Sequence, residues 1–217
     1  VDTERFGVPP SGGQPLFLDC PIVLPACPTA HPAAYKVKRI QVMAKSKIPS
    51  KVVEELNRQF NQELGASHNY RALSAWCELQ NLKGFARYFA KQAGEELEHA
   101  HKIIAHMIDR NLTPEFASLP APKQEFRSLL DVAHHAQSME HANTEGINAV
   151  YEAAVTGKDY PAQVLMQWFI NEQVEEEDWA TEMVERVENA TCAGGMSDLD
   201  RHIERYLAKE VTVVEEK

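Results

Sequence analysis

The 217 residues suffice for one domain with an appendage or for two small domains. With 44 % apolar residues, a mean hydropathy of -0.40 and no apolar run near the ~20 residues that cross a bilayer, no membrane-spanning helix is written in the chain. A net charge of -10 and a pI of about 5.4 exclude the basic footprint of a nucleic-acid binder, so neither a membrane nor a nucleic acid is an expected partner. Cysteines stand at 20, 27, 77 and 192 without a CxxC pair. That excludes zinc knuckles and rubredoxin-type sites and fits a reducing compartment, with the cytoplasm as the expected location.

The first 50 residues differ from the rest. They hold eight of the twelve prolines, and their six Lys/Arg against three Asp/Glu leave the negative charge concentrated downstream. Proline at this density opposes both helix and central strand. Residues 1–49 therefore read as an extension with no core of its own. Asp2, Glu4 and Asp19 spoil the pattern of a signal peptide. Met43 opens a plausible translation start just ahead of the first helix, so residues 1–42 also read as an over-extended reading frame.

From Ser50 the period is helical throughout. A first helix, with Pro49-Ser50 as its cap, covers about 50–79 and a second about 82–111, ended by Asn111-Leu112-Thr113-Pro114. A proline-bearing link follows. The third helix covers about 128–156 and stops at Gly157; Asp159-Tyr160-Pro161 caps and opens the fourth, which ends near Asn189. Gly194-Gly195 breaks the chain, a short fifth helix runs from Ser197 to about Leu207, and 208–217 read as a frayed tail. Four helices far above the usual ~11–12 residues, two short turns and one long crossover describe an all-α, ferritin-like four-helix bundle with a short C-terminal fifth helix.

A bundle helix buries a stripe at steps of three and four. Here each stripe is apolar or small at its ends and polar in its middle. Leu56 and Phe60 lead to Glu63, with Tyr70 and Cys77 beyond. Phe85 and Phe89 lead to Gln92, Glu96 and His99; Ala133 leads to Gln137 and Glu140; Met166 and Phe169 lead to Gln173 and Glu176. Taken singly, each has an ordinary explanation: a surface salt bridge for Glu-x-x-His, a snorkelling Glu63, a core tyrosine, a buried amide. Taken together they put several carboxylates in one core with no Lys or Arg on the stripes, and each would cost several kcal/mol or take up a proton. A divalent metal pair supplies the missing charge. Glu96 and His99, three apart, face the same way and can hold one ion. Carboxylates with one imidazole suit iron or manganese and leave positions open for water or O₂; structural zinc would want more Cys or His.

The segments NQELGASHNY, SAWC, GEELEH, DYP and QWFINEQVEEE, in that order, resemble the bacterial non-haem ferritins over residues 50–207. The resemblance implies an iron-storage protein with an intra-subunit di-iron ferroxidase centre that oxidises Fe²⁺ with O₂ or H₂O₂. Glu63, Glu96 and His99 would hold one iron; Glu96, Glu140 and Glu176 the other, with Gln173 beside them. A third iron site would draw on Glu95, Glu172, Glu175 and Glu176, whose alternative reading is a solvated acidic face. Tyr70 matches the family's tyrosine beside the centre, which supplies an electron or stabilises an intermediate. The family's assembly is a hollow homo-oligomeric shell of 24 subunits holding ferric oxyhydroxide. No haem is implied: the position of the bacterioferritin haem methionine is Leu97, and the second Glu-x-x-His of that group is replaced by Gln173 and Glu176. Competing functions are a packaging shell without catalysis and a di-iron peroxidase that stores little.

Overall fold

The computed structural model describes residues 48–190 and 193–215. The extension over 1–47, and with it the choice between a genuine segment and a start at Met43, lies outside the described residues, as do Cys20, Cys27 and Cys192. Five helices make up the described chain: α1 (Ser50–Leu79), α2 (Lys83–Asp109), α3 (Leu129–Thr156), α4 (Tyr160–Asn189) and α5 (Ala193–Glu215). There is no strand among the described residues. The all-α bundle and its long crossover are as expected.

The helix ends explain the turns. The backbone N–H of Leu82 bonds the Cys77 carbonyl at 3.0 Å and that of Asn81 bonds the Glu78 carbonyl at 3.1 Å, with Asn81 in the left-handed region at φ 59°. This Schellman closure repeats at the end of α2, where Asn111 has φ 59° and Leu112 bonds Met107, and at the end of α3, where Asp159 bonds Ala154. Asparagine tolerates that conformation better than most residues. At α3 the left-handed position is Lys158 (φ 53°), not Gly157. Gly157 is needed for a different reason: a Cβ there would lie 2.7 Å from Pro49 Cγ.

Three sequence expectations need correction. Ser50 is not a cap; Pro49 occupies that position and makes no side-chain hydrogen bond to the helix. Gly194-Gly195 does not break the chain, because α5 begins at Ala193. The fifth helix is also not short: it runs to Glu215, through most of the segment read as a frayed tail. Asp159 caps α4 as expected, accepting from the backbone N–H of Ala162 at 3.2 Å, and Ser128, not read as a cap in the sequence, accepts from that of Asp131 at 3.2 Å at the start of α3.

α2 has no capping side chain of its own. Asp200 of α5 fills the role from outside, its Oδ1 accepting from the Phe85 N–H at 3.0 Å. Gly84 permits this approach, since a Cβ there would come within 2.0 Å of the Asp200 carbonyl oxygen. The crossover is fastened to α1 by two amides. Asn57 Oδ1 accepts from Glu115 N–H (2.8 Å), and Asn61 Oδ1 accepts from Ala117 N–H (2.9 Å). Phe116 adds an edge contact on Phe60 at 5.2 Å.

Two apolar clusters fill the bundle. One contains Leu73, Cys77, Phe85, Phe89, Val132, Met183 and Val187; the other contains Leu56, Phe60, Ile103, Met107, Ile147, Met166 and Phe169. The polar members of the four stripes come between these groups in chain position on every helix.

Candidate metal centre

Glu63 on α1 and Glu96 and His99 on α2 each bring one ligand atom within 4.8 Å of the others. They are 0 %, 3 % and 8 % exposed, and Glu140 on α3 is 1 % exposed. His99 Nδ1 faces Glu96 Oε2 at 3.4 Å. The ring packs nearly perpendicular to Trp168 and Phe169 of α4, at centroid distances of 5.6 and 5.5 Å. Glu140 and Glu176 are not part of that tight trio. They are tied to its surroundings by amides and a phenol. The Tyr70 hydroxyl donates to Glu140 Oε1. Gln173 Nε2 reaches the Glu140 backbone carbonyl (3.2 Å), its Oε2 (3.4 Å) and Thr144 Oγ1 (3.1 Å). Glu176, half-buried, accepts from Gln92 Nε2 at 2.8 Å.

Three residues that sequence reasoning did not assign to the site shape it. Asn143 Nδ2 donates to Glu63 Oε2 at 3.0 Å and lies 3.4 Å from both oxygens of Glu96. Its amide is oriented by Gln62, whose Nε2 donates to Asn143 Oδ1 at 3.0 Å. Gln59 Nε2 donates to Glu63 Oε1 at 2.8 Å, and Gln92 holds Glu176 as described. The available signal was spacing: Asn143 is three residues after Glu140, and Gln59 four before Glu63, so each shares a helix face with a ligand candidate.

Among the described residues no Lys or Arg forms an ion pair with Glu63, Glu96 or Glu140, and the charge of Lys91, which pairs with Glu95, only partly offsets the burial of Glu176. The electrostatics follow. Burial, then the neighbouring Glu96, pushes the Glu63 carboxyl well above the usual carboxylate range. Burial, then Glu140, does the same to Glu96. Glu140 is also raised by burial, partly opposed by its bonds from Tyr70 and Gln173. Glu176 is pushed up to about 7 by burial, with Glu140 and Glu95 adding to it. The Tyr70 phenol is raised by burial and by the Glu140 charge. A cluster whose acids are all driven toward neutrality is short of positive charge. Oxygen donors with one imidazole match a divalent cation such as Fe²⁺ in both charge and chemistry.

The residues expected at a third site divide. Glu95 is half-buried and pairs with Lys91 at 3.0 Å through one oxygen, while its Oε2 is buried without a hydrogen-bond partner. Glu172 is half-buried and Glu175 exposed, and no hydrogen bond or ion pair among the described residues ties either to the centre.

The ferritin-like domain family matches residues 53–190. A bacterial non-heme ferritin of Staphylococcus haemolyticus is 40 % identical over 126 residues, covering 58 % of this chain and 76 % of that protein. The corresponding Staphylococcus aureus protein is 39 % identical over the same shares. Among solved structures, an open pore ferritin from Archaeoglobus fulgidus superposes with a TM-score of 0.70 at 30 % identity, covering 72 % of this chain and 96 % of that one. A humanized archaeal ferritin gives 0.71 at 30 %, over 72 % and 97 %. With a buried carboxylate–imidazole centre inside a four-helix bundle, and a family match spanning most of that bundle, this chain belongs to the ferritin-like family.

Proposed function

We propose that this chain is an iron-storage ferritin with ferroxidase activity, binding Fe²⁺ as substrate at the buried carboxylate–histidine centre and oxidising it with O₂ or H₂O₂. The observation that carries the reading is the buried trio Glu63, Glu96 and His99, whose ligand atoms converge within 4.8 Å. The relatives named as bacterial non-heme ferritins support the same activity.

On this reading Glu63, Glu96 and His99 hold one Fe²⁺, and Glu96 bridges to a second held with Glu140 and Glu176. Two Fe²⁺ give up two electrons together, taking O₂ to H₂O₂ with two protons and avoiding free superoxide. Binding displaces protons from carboxyls whose affinity for them is raised, so uptake is pH-dependent. Gln59, Asn143, Gln92 and Gln173 orient the carboxylate oxygens. Gln173 stands beside the centre, and Tyr70 is placed to give an electron and its phenolic proton, the latter to Glu140. Glu95, with its unpartnered oxygen, is the best supported member of a third site with Glu172, Glu175 and Glu176. The assembly is a homo-oligomeric shell of 24 subunits that stores ferric oxyhydroxide in the cytoplasm, without haem.

The test adds Fe²⁺ to iron-free protein without oxygen, counts bound ions, then admits O₂. About two ions per subunit oxidised in a fast phase, lost in Glu96→Ala/His99→Ala while the shell still assembles, supports ferroxidase action. An unmutated protein with no fast phase refutes it, in favour of a packaging shell.

A further inference from the structure

Two oxidisable side chains stand next to the centre, and the fold treats them in opposite ways. Tyr70 presents its hydroxyl to Glu140, a carboxylate able to take the phenolic proton as an electron leaves. Trp168 meets His99 in a near-perpendicular ring contact, with centroids 5.6 Å apart. Over its ring face lies the ammonium of Lys102, 3.4 Å from the centroid. A cation in that position is attracted by the negative face of a neutral indole. Removing an electron from the indole turns attraction into repulsion, so the ring becomes harder to oxidise. Lys102 is one turn beyond His99 on α2, while Trp168 comes from α4, so the contact is set by helix packing and does not depend on a loop.

We propose that Lys102 guards Trp168 against one-electron oxidation by the adjacent centre, steering side-chain electron loss to Tyr70. This rests on the ferroxidase reading given above. The need arises when H₂O₂ meets a centre holding a single Fe²⁺. Conversion of H₂O₂ to two waters takes two electrons and two protons. The iron supplies one electron and becomes Fe³⁺. The second comes from a side chain: Tyr70 gives an electron and a proton and becomes a phenoxyl radical, with one further proton drawn from solvent. Were Trp168 the donor, it would be left as an indole radical cation beneath a fixed positive charge.

The chain has three tryptophans, so Trp76 and Trp179 serve as internal references. The full chain, its Lys102→Met variant and its Lys102→Arg variant are compared in two arms. In one, iron-free protein is exposed to a photogenerated one-electron oxidant. In the other, each protein receives less than one Fe²⁺ per subunit and then H₂O₂. Oxygen addition at each tryptophan is read by peptide mass spectrometry. Lys102 is exposed, and Met preserves most of its stem, so neither folding nor access to Trp168 should change. Lys102→Met should raise oxidation of Trp168 relative to Trp76 and Trp179 by roughly two- to fivefold, the equivalent of a solvent-facing cation–π pair, while Lys102→Arg stays at the unmutated level. An unchanged ratio in Lys102→Met, or an equal rise in Lys102→Arg, overturns the proposal. The photochemical arm needs no iron chemistry. Failure of the ferroxidase reading would appear separately, as loss of the fast Fe²⁺ oxidation phase in the unmutated protein.

Discussion

The iron-free bundle should be less stable at pH 8 than at pH 5, and Glu176 should account for a measurable share of the difference. Burial, with the charges of Glu140 and Glu95, pushes the Glu176 carboxyl up to about 7 from the ordinary glutamate value of 4.5. A group whose folded pKa is raised contributes stability that is fully present below the unfolded value and is lost as pH climbs through the folded one. At 1.36 kcal/mol per pKa unit, the full swing is about 3 kcal/mol, most of it between pH 5 and 7.5. Glu63, Glu96 and Glu140 shift in the same direction and steepen the slope. The assay is urea unfolding of chelator-treated protein at pH 5, 6, 7 and 8. One protein concentration is used throughout, because subunit association adds to apparent stability. The unmutated chain should lose midpoint steadily with pH. Glu176→Gln, which carries no titrating group there, should fall less steeply. The gap between the two proteins should therefore change by about 3 kcal/mol across the range. Adding a divalent metal at pH 8 should restore stability to the unmutated protein more than to the variant. Parallel pH profiles for the two proteins would refute the reasoning, since they would mean that Glu176 titrates normally.

Asn143→Leu removes the amide that Glu63 and Glu96 share. Unfolding at neutral pH should show a loss of about 1–3 kcal/mol, the usual cost of leaving buried polar groups without a partner, and an unchanged midpoint would show the contact to be unimportant. Gly84→Ala puts a methyl 2.0 Å from the Asp200 carbonyl, so α5 must move; hydrogen exchange should show its backbone amides losing protection while those of α3 do not. Asp159→Ala breaks a pair with Arg110 (2.7 Å) in which the aspartate is almost wholly buried, and it also removes the α4 cap. A loss of about 3 kcal/mol or more is expected, partly recovered in Asp159→Ala/Arg110→Met, where no unpaired charge remains. A double variant no more stable than the single would count against the pair.

Some features were legible in sequence because they are periodic. A polar interruption at the same level of four apolar stripes can be counted without coordinates, and it placed Glu63, Glu96, His99, Glu140, Gln173 and Glu176 at the bundle centre. A cap that lies within its own helix, Asp159, was equally readable. Residues acting across helices were harder. Asn143 lies one position off the stripe traced through Glu140 and Thr144, yet its amide reaches α1 and α2. Gly157 reads by residue type as the stop of α3, and it is the C-cap; what the sequence does not show is that its missing Cβ also admits Pro49. The capping of α2 by Asp200 spans 115 positions and leaves no local trace.

By itself, then, the sequence determined the helical period, the long crossover and the inventory of acids facing a common axis, because each depends only on residue spacing along one helix. Tertiary structure alone decided which amides orient those acids and which acids share a tight trio. It also decided that α5 begins through a glycine pair, and that a lysine lies over the tryptophan beside His99. Those relations depend on the axial offset and rotation between neighbouring helices. These are fixed by side-chain packing across the interface, and no pattern within a single helix encodes them.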